Sequence, residues 1–224
     1  MKLLLISDIH ANFPCLEAVL KAEADADVVL CAGDLVDVGF YPCEVVDCIR
    51  DLGIPCVVGN HDLNIVRMAR SGEGDARNPA NFAQLNAGLL QESHLTYLES
   101  LPETLQVEYD RIHYHIVHNY AGYELIPSDY AFDEFRGDTP AHHPHKTRAV
   151  FMGHTHHPAL IYYSPDRVTL NPGSVGYNRP ADPSIATRYM TVTDGHIRFH
   201  ALEHPHCCGR RQLGQRFDQQ FNRA

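Results

Sequence analysis

The sequence predicts one domain of the α/β class with two β-sheets. Apolar runs of strand length alternate with amphipathic helical patterns in the first third of the chain, and strand patterns joined by turn sequences dominate the last third. A chain of 224 residues is long enough to bury one sizeable core. The chain carries neither an internal repeat nor a low-complexity linker, so a single domain is the economical interpretation.

The first third of the chain predicts β–α–β units. KLLLIS, DVVLCAG and IPCVVG are continuous apolar runs typical of buried strands. Between them lie two helical patterns, PCLEAVLKAEA with Pro14 in its first turn and PCEVVDCIRDLG closed by Gly53. Apolar strands separated by helices indicate a parallel sheet that is covered on both faces.

The rest of the chain predicts an added helix and a series of hairpins. Residues 81–98 carry a helical pattern, TLQVEYDRIHYHIVH predicts two strands around Asp110–Arg111, and ALIYYSPDRVTL and TRYMTVTDGHIRFHAL predict two further hairpins. NPGS at 171–174 predicts a turn with Gly173 at positive φ. We therefore expect one domain over residues 1–203, with insertions near 64–100 and 119–148, followed by a frayed C-terminal tail over 204–224.

Composition narrows the classes of function. The 18 basic and 28 acidic residues give a net charge of −10, which disfavours long nucleic acids as partners. No apolar run approaches the length of a membrane span, and the N-terminus lacks the apolar core of a signal peptide. Seven cysteines without a CxxC pair indicate reduced thiols, so we expect a soluble cytoplasmic protein with no membrane partner.

Polar side chains that can bind metal follow each predicted central strand. Because ligands bind at the carboxyl ends of strands in open α/β sheets, we expect these side chains to meet. Asp8 and His10, like His154 and His156, are spaced so that both side chains would point the same way in an extended chain. The full set is Asp8, His10, Asp34, Asp37, Asn60, His61, His118, His154 and His156.

The donor types predict a catalytic metal centre. Carboxylate, carboxamide and imidazole without thiolate suit manganese, iron, cobalt, nickel or zinc in an open site. The number of donors suits two ions bridged by one carboxylate, about 3.5–4 Å apart. Capping at strand ends also favours Asp and Asn, but it does not explain paired imidazoles.

The motifs DIH, GDLVD, GNHD, VH and GHTH, in this order and with NPGS after them, resemble those of the calcineurin-like metallophosphoesterases. The likeness covers about residues 1–200 and is greatest to the compact bacterial and archaeal members. It implies a four-layer αββα sandwich, in which two mixed β-sheets are flanked by helices. It also implies a dinuclear hydrolase of phosphate esters.

The resemblance implies a role for each residue of the set. Asp8, His10, Asp34 and His156 would hold the first metal ion, and Asp34 would bridge to a second ion completed by Asn60, His118 and His154. His61 would act as general acid, oriented by Asp37, while a metal-activated hydroxide attacks the phosphorus. Manganese is the first choice of metal, with iron, zinc, nickel, cobalt or magnesium as alternatives, and no other cofactor is implied.

Several activities share such a centre. A phosphodiesterase acting on small or nucleotide substrates is the leading hypothesis. The alternatives are a Ser/Thr-type protein phosphatase, a dinucleoside polyphosphate hydrolase, and a non-catalytic scaffold with this fold. His113 and His115 fall on the strand face opposite His118 and are not expected to bind metal, and His142, His143 and His145 are expected in a solvated loop.

Overall fold

Two mixed β-sheets and the helices beside them form the fold in the computed structural model, which describes residues 1–119, 147–179 and 186–221. The helices are α1 (Phe13–Ala22), α2 (Pro42–Asp51), α3 (Asn60–Arg70), α4 (Phe82–Leu89), α5 (Glu92–Ser100) and α6 (Arg210–Gln220). The strands are β1 (Lys2–Ile6), β2 (Val28–Cys31), β3 (Thr104–Tyr109), β4 (Ile112–Val117), β5 (Thr147–Phe151), β6 (Ala159–Ser164), β7 (Arg167–Asn171), β8 (Tyr177–Asn178), β9 (Ala186–Thr193), β10 (His196–Glu203) and β11 (Cys208–Gly209).

Each large sheet combines parallel and antiparallel pairs. The first sheet has the order β10-β9-β1-β2, with β1 parallel to β2 and antiparallel to β9. The second has the order β3-β4-β5-β7-β6, in which β4, β5 and β7 are parallel and the two edge strands are antiparallel. A short parallel pair joins β8 to β11. Two mixed sheets flanked by helices confirm the predicted fold class.

The alternation of side chains along β1 places it at the centre of the fold. Leu3 and Leu5 pack between the two sheets, against residues such as Phe151 of the second sheet. Leu4 and Ile6 point to the other side, where they pack under the helices that follow in sequence. All four of these side chains are fully buried. Since burying each contributes about 1.5–3 kcal/mol, this strand anchors both layers.

The predicted hairpins and turns are confirmed. Asp110 and Arg111 connect β3 to β4 with φ of 50° and 62°, and Asp194 and Gly195 connect β9 to β10 with φ of 49° and 77°. Two consecutive residues at positive φ are typical of the tight turns that match the twist of a hairpin. Gly173 has a φ of 86°, as the NPGS turn requires.

Two expectations about elements are wrong, and one helix was not expected. The segment IPCVVG forms only an isolated bridge between Cys31 and Cys56, because the chain after β2 leaves the extended conformation at Gly33, whose φ is 86°. The helical pattern over 81–98 is two helices, separated at Leu90 and Gln91. Helix α3 was not expected, although it buries a regular apolar face against the first core.

The expectation of a frayed tail is also wrong over residues 207–221. β11 and α6 lie there, and the side chains of Leu213 and Phe217 are only 4% exposed. They pack with Phe82 and Tyr177, which are distant in sequence. The domain boundary at residue 203 stays a prediction. His142, His143 and His145, and most of the loop predicted over 119–148, lie outside the described residues.

Candidate metal centre

The predicted metal-binding side chains meet at one edge of the sandwich. Asp8 and His10 follow β1, Asp34 follows β2, His118 follows β4, and His154 and His156 follow β5. Asn60 is the first residue of α3. Both sheets therefore contribute to the same cleft, as the strand-end pattern predicts.

The first group of donors contains Asp8, His10 and His156. The Nε2 atoms of His10 and His156 are 3.1 Å apart, and the Oδ1 atom of Asp8 lies 3.3 Å from Nε2 of His156 and 3.9 Å from Nε2 of His10. All three side chains are buried. This spacing allows one ion to contact all of them.

The second group contains Asn60, His118 and His154. The Oδ1 atom of Asn60 lies 3.0 Å from Nε2 of His118 and 2.9 Å from Nδ1 of His154. Asp34 joins the two groups, because its Oδ2 atom lies 3.2 Å from Nε2 of His118 and 3.6 Å from Nε2 of His10. One carboxylate oxygen thus faces both groups.

Two carbonyl groups orient His118 and His156 so that their Nε2 atoms face the groups of donors, which suits a site for cations. Nδ1 of His118 donates to the carbonyl of Ala32 at 2.7 Å, and Nδ1 of His156 donates to the carbonyl of Tyr177 at 3.0 Å. In the neutral, metal-binding form of these two imidazoles, each Nε2 atom then presents a lone pair to its neighbours. Buried lone pairs and carboxylates in contact repel each other unless positive charge lies between them.

The pKa values of His10 and His118 are shifted in opposite directions. Burial lowers the pKa of His10 to about 3, so its imidazole is neutral and free to bind metal. Burial also lowers the pKa of His118, but the adjacent Asp34 carboxylate more than compensates and raises it to about 10. A divalent ion would take the place of the proton that this carboxylate draws in.

The backbone at the candidate ligands is left-handed. Asp8, His10, Asp34, His154 and His156 have φ between 50° and 69°, a region that side-chain-bearing residues rarely adopt. Such conformations concentrate at functional sites, where the surrounding fold maintains them. The extended-chain reasoning for the i, i+2 pairs was therefore wrong about the backbone. Asp8 and His10 do share one group, whereas His154 and His156 divide between the two.

Two glycines allow the chain to pass close to the ligands. A Cβ atom at Gly153 would overlap the Ser7 hydroxyl and lie 2.6 Å from Oδ2 of Asp8. A Cβ atom at Gly59 would overlap the Asp34 carboxylate. Neither glycine is among those at positive φ, so the requirement at both positions is space rather than backbone freedom.

His61 and Asp37 form a hydrogen-bonded pair beside the groups of donors. Nδ1 of His61 lies 2.7 Å from Oδ2 of Asp37, and the ring packs edge-on against His10 at 4.8 Å between centroids. The side chain of His61 is 28% exposed, whereas His10 is buried. Burial lowers the pKa of His61, but the hydrogen bond to Asp37 and the charge of Asp34 raise it above its ordinary value.

Sequence reasoning missed two residues that support the centre. Asp62, the last residue of GNHD, is buried and accepts hydrogen bonds from the backbone amides of Gly59, Asp34, Leu35 and Val36. It thereby ties the segment after β2 to the start of α3. Tyr177 supplies the carbonyl that orients His156. Asp62 could have been found from the acidic residue in GNHD. Tyr177 could not, because a backbone carbonyl leaves no signal in the sequence.

His113 and His115 lie apart from the centre. Along β4 their neighbours Tyr114 and Ile116 belong to the core between the sheets, so the two histidines point to the opposite face of the strand. Neither has a ligand atom in the candidate groups of the described residues.

The two sheets and the groups of acceptors at their shared edge define a metallophosphoesterase fold, and the comparisons with known proteins agree. The chain belongs to the calcineurin-like phosphoesterase superfamily, whose domain matches residues 1–194. This family implies divalent metal ions and hydrolysis of phosphate esters. The resemblance predicted from the motifs is confirmed.

Particular relatives come from archaea and bacteria. An uncharacterized protein of Methanocaldococcus jannaschii is 31% identical, over 78% of this chain and 76% of its own. The crystal structure of a metallophosphoesterase from Sphaerobacter thermophilus is 30% identical, with a TM-score of 0.68 over 91% of this chain and 89% of its own. A structure described as a novel archaeal phosphodiesterase shares the fold, with a TM-score of 0.53, 17% identity and coverage of 90% of this chain and all of its own.

Among the residues that the structure describes, none of the helices combines the length and the apolar character needed to cross a membrane.

Proposed function

We propose that the protein is a dinuclear metal-dependent phosphodiesterase that acts on small or nucleotide substrates. The observation that carries the proposal is Asp34, whose single Oδ2 atom faces both groups of acceptors. Seven donors, of which Asp34 is the shared carboxylate, are more than one ion with an open position can use. The same observation disfavours a non-catalytic scaffold, because all seven residues are present.

The residues fit two ions in the way the resemblance implies. Asp8, His10, Asp34 and His156 would hold one, and Asp34, Asn60, His118 and His154 the other. When bound, the ions, for which manganese is the first choice, would supply Lewis-acid activation of the phosphoryl group and of the attacking water. Two buried carboxylates against two divalent ions leave the centre positive, so it can attract a phosphate although the chain carries a net charge of −10.

His61 would protonate the leaving oxygen. Its Nδ1 atom is engaged by Asp37 at 2.7 Å, which leaves Nε2 free to face a substrate. Burial lowers the pKa of this imidazole, but the hydrogen bond to Asp37 and the charge of Asp34 raise it above its ordinary value, which favours the protonated form that a general acid requires. Asp37 fixes the orientation of the ring and stabilises its charged form.

An alkyl phosphate ester suits the site, because its alkoxide leaving group needs a proton, which the pair of His61 and Asp37 can deliver. We prefer a diester to a monoester because of the likeness of fold. The fold is shared with a protein described as a phosphodiesterase, and the acidic chain disfavours long nucleic acids. A protein phosphatase or a dinucleoside polyphosphate hydrolase would use the same centre, and the substrate assay below separates them.

The test is an assay of the purified chain with Mn²⁺ on aryl phosphodiesters, aryl phosphomonoesters, nucleotide diesters, dinucleoside polyphosphates and a phosphopeptide. We expect turnover of the diesters, and its loss to below detection in Asp34→Ala. Asp51→Ala is the matched control, because Asp51 is an exposed carboxylate at the end of α2. Absence of turnover with every divalent metal, or full activity in Asp34→Ala, would contradict the proposal.

A further inference from the structure

The C-terminal segment, residues 204–221, lies beyond the part of the chain that matches the family domain, yet it packs beside the candidate metal centre. β11 pairs with β8, in the register Cys208 to Tyr177 and Gly209 to Asn178. Helix α6 buries Leu213 in a cluster with Tyr177 and Val38. Two separate elements of the segment therefore converge on Tyr177.

Tyr177 contacts both histidines of the first donor group. Its carbonyl accepts the hydrogen bond from Nδ1 of His156 at 3.0 Å, and its ring packs against His156 and His10 at 4.5 and 4.8 Å between centroids. Among the described residues, Nδ1 of His10 has no hydrogen-bond partner. The orientation of the His10 ring thus depends on packing, and Tyr177 provides one side of it.

Asn12 connects the C-terminal segment to the segment that carries His10. Its Nδ2 atom donates to the carbonyl of Gly176 at 2.7 Å and to the carbonyl of His206 at 3.0 Å. Its Oδ1 atom caps α1 by accepting the amide of Cys15. The side chain is buried, and three segments of chain meet at it.

The second donor group has separate support. His118 is oriented by the carbonyl of Ala32, and Asn60 is fixed at the start of α3. Neither contact involves the C-terminal segment. A disturbance of that segment should therefore reach one metal site and spare the other.

We propose that the C-terminal segment, held by Asn12, is a positioning element of the first metal site. By fixing Tyr177 it sets the orientation of His156 and His10, so the matched family domain is completed by residues outside it. The inference rests on the proposed function, since it concerns the affinity of one of the two proposed metal sites. Partners that orient a metal ligand typically change metal affinity by about 10–100-fold when they are removed.

The test uses Asn12→Ser in the full chain. Serine keeps a capping oxygen for α1 but is shorter and has one donor in place of two. Asn81→Ser is the matched control, because Asn81 caps α4 in the same way and makes that bond at 2.9 Å. A second variant, Leu213→Ala, loosens α6 without touching Asn12, and Leu98→Ala, buried in α5, controls for general loss of stability.

The readout is calorimetric titration of the metal-free chain with Mn²⁺, with circular dichroism to confirm the fold. We expect Asn12→Ser and Leu213→Ala each to weaken one of the two binding steps by about 10–100-fold and both controls to leave both steps unchanged. To identify which metal site is weakened, each variant is combined with a substitution that removes one site. The loss of affinity should persist in combination with His118→Ala, which retains the first site, and should vanish in combination with His10→Ala.

Two other results are distinguishable. If the wild-type chain binds no Mn²⁺, the proposed function fails, and this inference fails with it. If the wild type binds two ions but Asn12→Ser and Leu213→Ala bind them with unchanged affinity, or lose affinity equally in both combinations, the positioning role is overturned while the dinuclear centre stands.

Discussion

At the residue scale, Asp34 links three parts of the proposed chemistry. Its Oδ2 atom faces His10 and His118, and its Oδ1 atom accepts the backbone amide of His61 at 2.9 Å. The same carboxylate therefore contacts both donor groups and the start of the helix that carries the proposed acid. A change at this residue should abolish binding of both ions rather than weaken one.

The pair of His61 and Asp37 gives a prediction about pH. The protonated form of His61 is the proposed acid, so turnover of an alkyl phosphodiester should fall as the pH rises through the pKa of His61. That pKa is raised by the hydrogen bond to Asp37 and the charge of Asp34. Asp37→Asn removes one group that stabilises the imidazolium of His61. The alkaline limb of the pH profile of turnover should therefore move to lower pH.

The measurement is kcat/KM against pH for an alkyl and a nitrophenyl diester. His61→Gln should reduce turnover of the alkyl ester by about 10²–10⁴-fold, and that of the nitrophenyl ester less, because nitrophenolate leaves without a proton. Asp51→Asn is the control and should keep the wild-type profile. An alkaline limb that stays in place in Asp37→Asn would argue against the assigned pair.

The positions of these residues could be predicted from sequence, but their conformations could not. Strand ends in an α/β pattern indicate which residues share a cleft, and all nine predicted side chains do lie at one edge. The left-handed backbone at residues such as Asp8 and His154 has no local signal, because neither residue is a glycine and the surrounding contacts impose the conformation. For that reason the division of His154 and His156 between two groups was inaccessible from spacing alone.

At the element scale, the segments that follow the strands must pack closely against each other to bring the candidate ligands together. Gly153 lies between the end of β5 and His154, against Ser7 and Asp8 of the segment after β1. The carbonyl of Gly153 accepts from the Asn171 side chain at 2.7 Å, which fixes it from the other side. The two segments can approach only because position 153 lacks a side chain.

A pair of glycine substitutions tests this close packing. Gly153→Ala should lower the free energy of unfolding by about 1–3 kcal/mol, because the new methyl group forces Ser7 and Asp8 to move. Gly214 is the opposite case, since it lies inside α6 with open space around it. Gly214→Ala should raise the free energy of unfolding by about 0.5–1 kcal/mol. Urea unfolding of both variants checks the signs. A Gly153→Ala variant as stable as the wild type would show that the segments can separate.

Many elements with regular apolar patterns were predictable, and the errors at α6 and at IPCVVG show why others were not. In α6 the sequence RRQLGQRFDQQ carries only Leu213 and Phe217 as large apolar residues, which is too little to indicate a helix. The residues that bury them, including Phe82 and Tyr177, come from elsewhere in the chain. In IPCVVG the apolar run was real, but its pairing with β2 stops after one bridge, because the chain after β2 turns at Gly33.

At the scale of the whole molecule, the candidate centre joins the two sheets. Asp8, His10 and Asp34 follow strands of the first sheet, and His118, His154 and His156 follow strands of the second. Ions bound between these residues would link the two sheets. Without ions, the same edge brings acceptor atoms close together, which is unfavourable. Metal binding should therefore stabilise the folded chain, because the unfolded chain has no such site.

Removal of metal should lower the midpoint of thermal unfolding. At a free concentration one hundred times its dissociation constant, each ion stabilises the fold by about 2.7 kcal/mol. For a chain of this size each kcal/mol shifts the midpoint by about 2–4 °C, so a chelator should cost roughly 5–10 °C per site. Asp34→Ala, which loses the shared ligand, should be insensitive to the chelator. Equal midpoints of the wild type with and without chelator would contradict a structural contribution of the ions.

The most direct test of the proposed dinuclear centre is anomalous X-ray scattering from crystals grown with Mn²⁺, recorded at the manganese absorption edge. We predict two peaks in each chain, one among Asp8, His10 and His156 and one among Asn60, His118 and His154, with Asp34 between them. The absence of any peak at these residues would contradict the proposal of two metal ions. A single peak that leaves either group of three without an ion would contradict it as well.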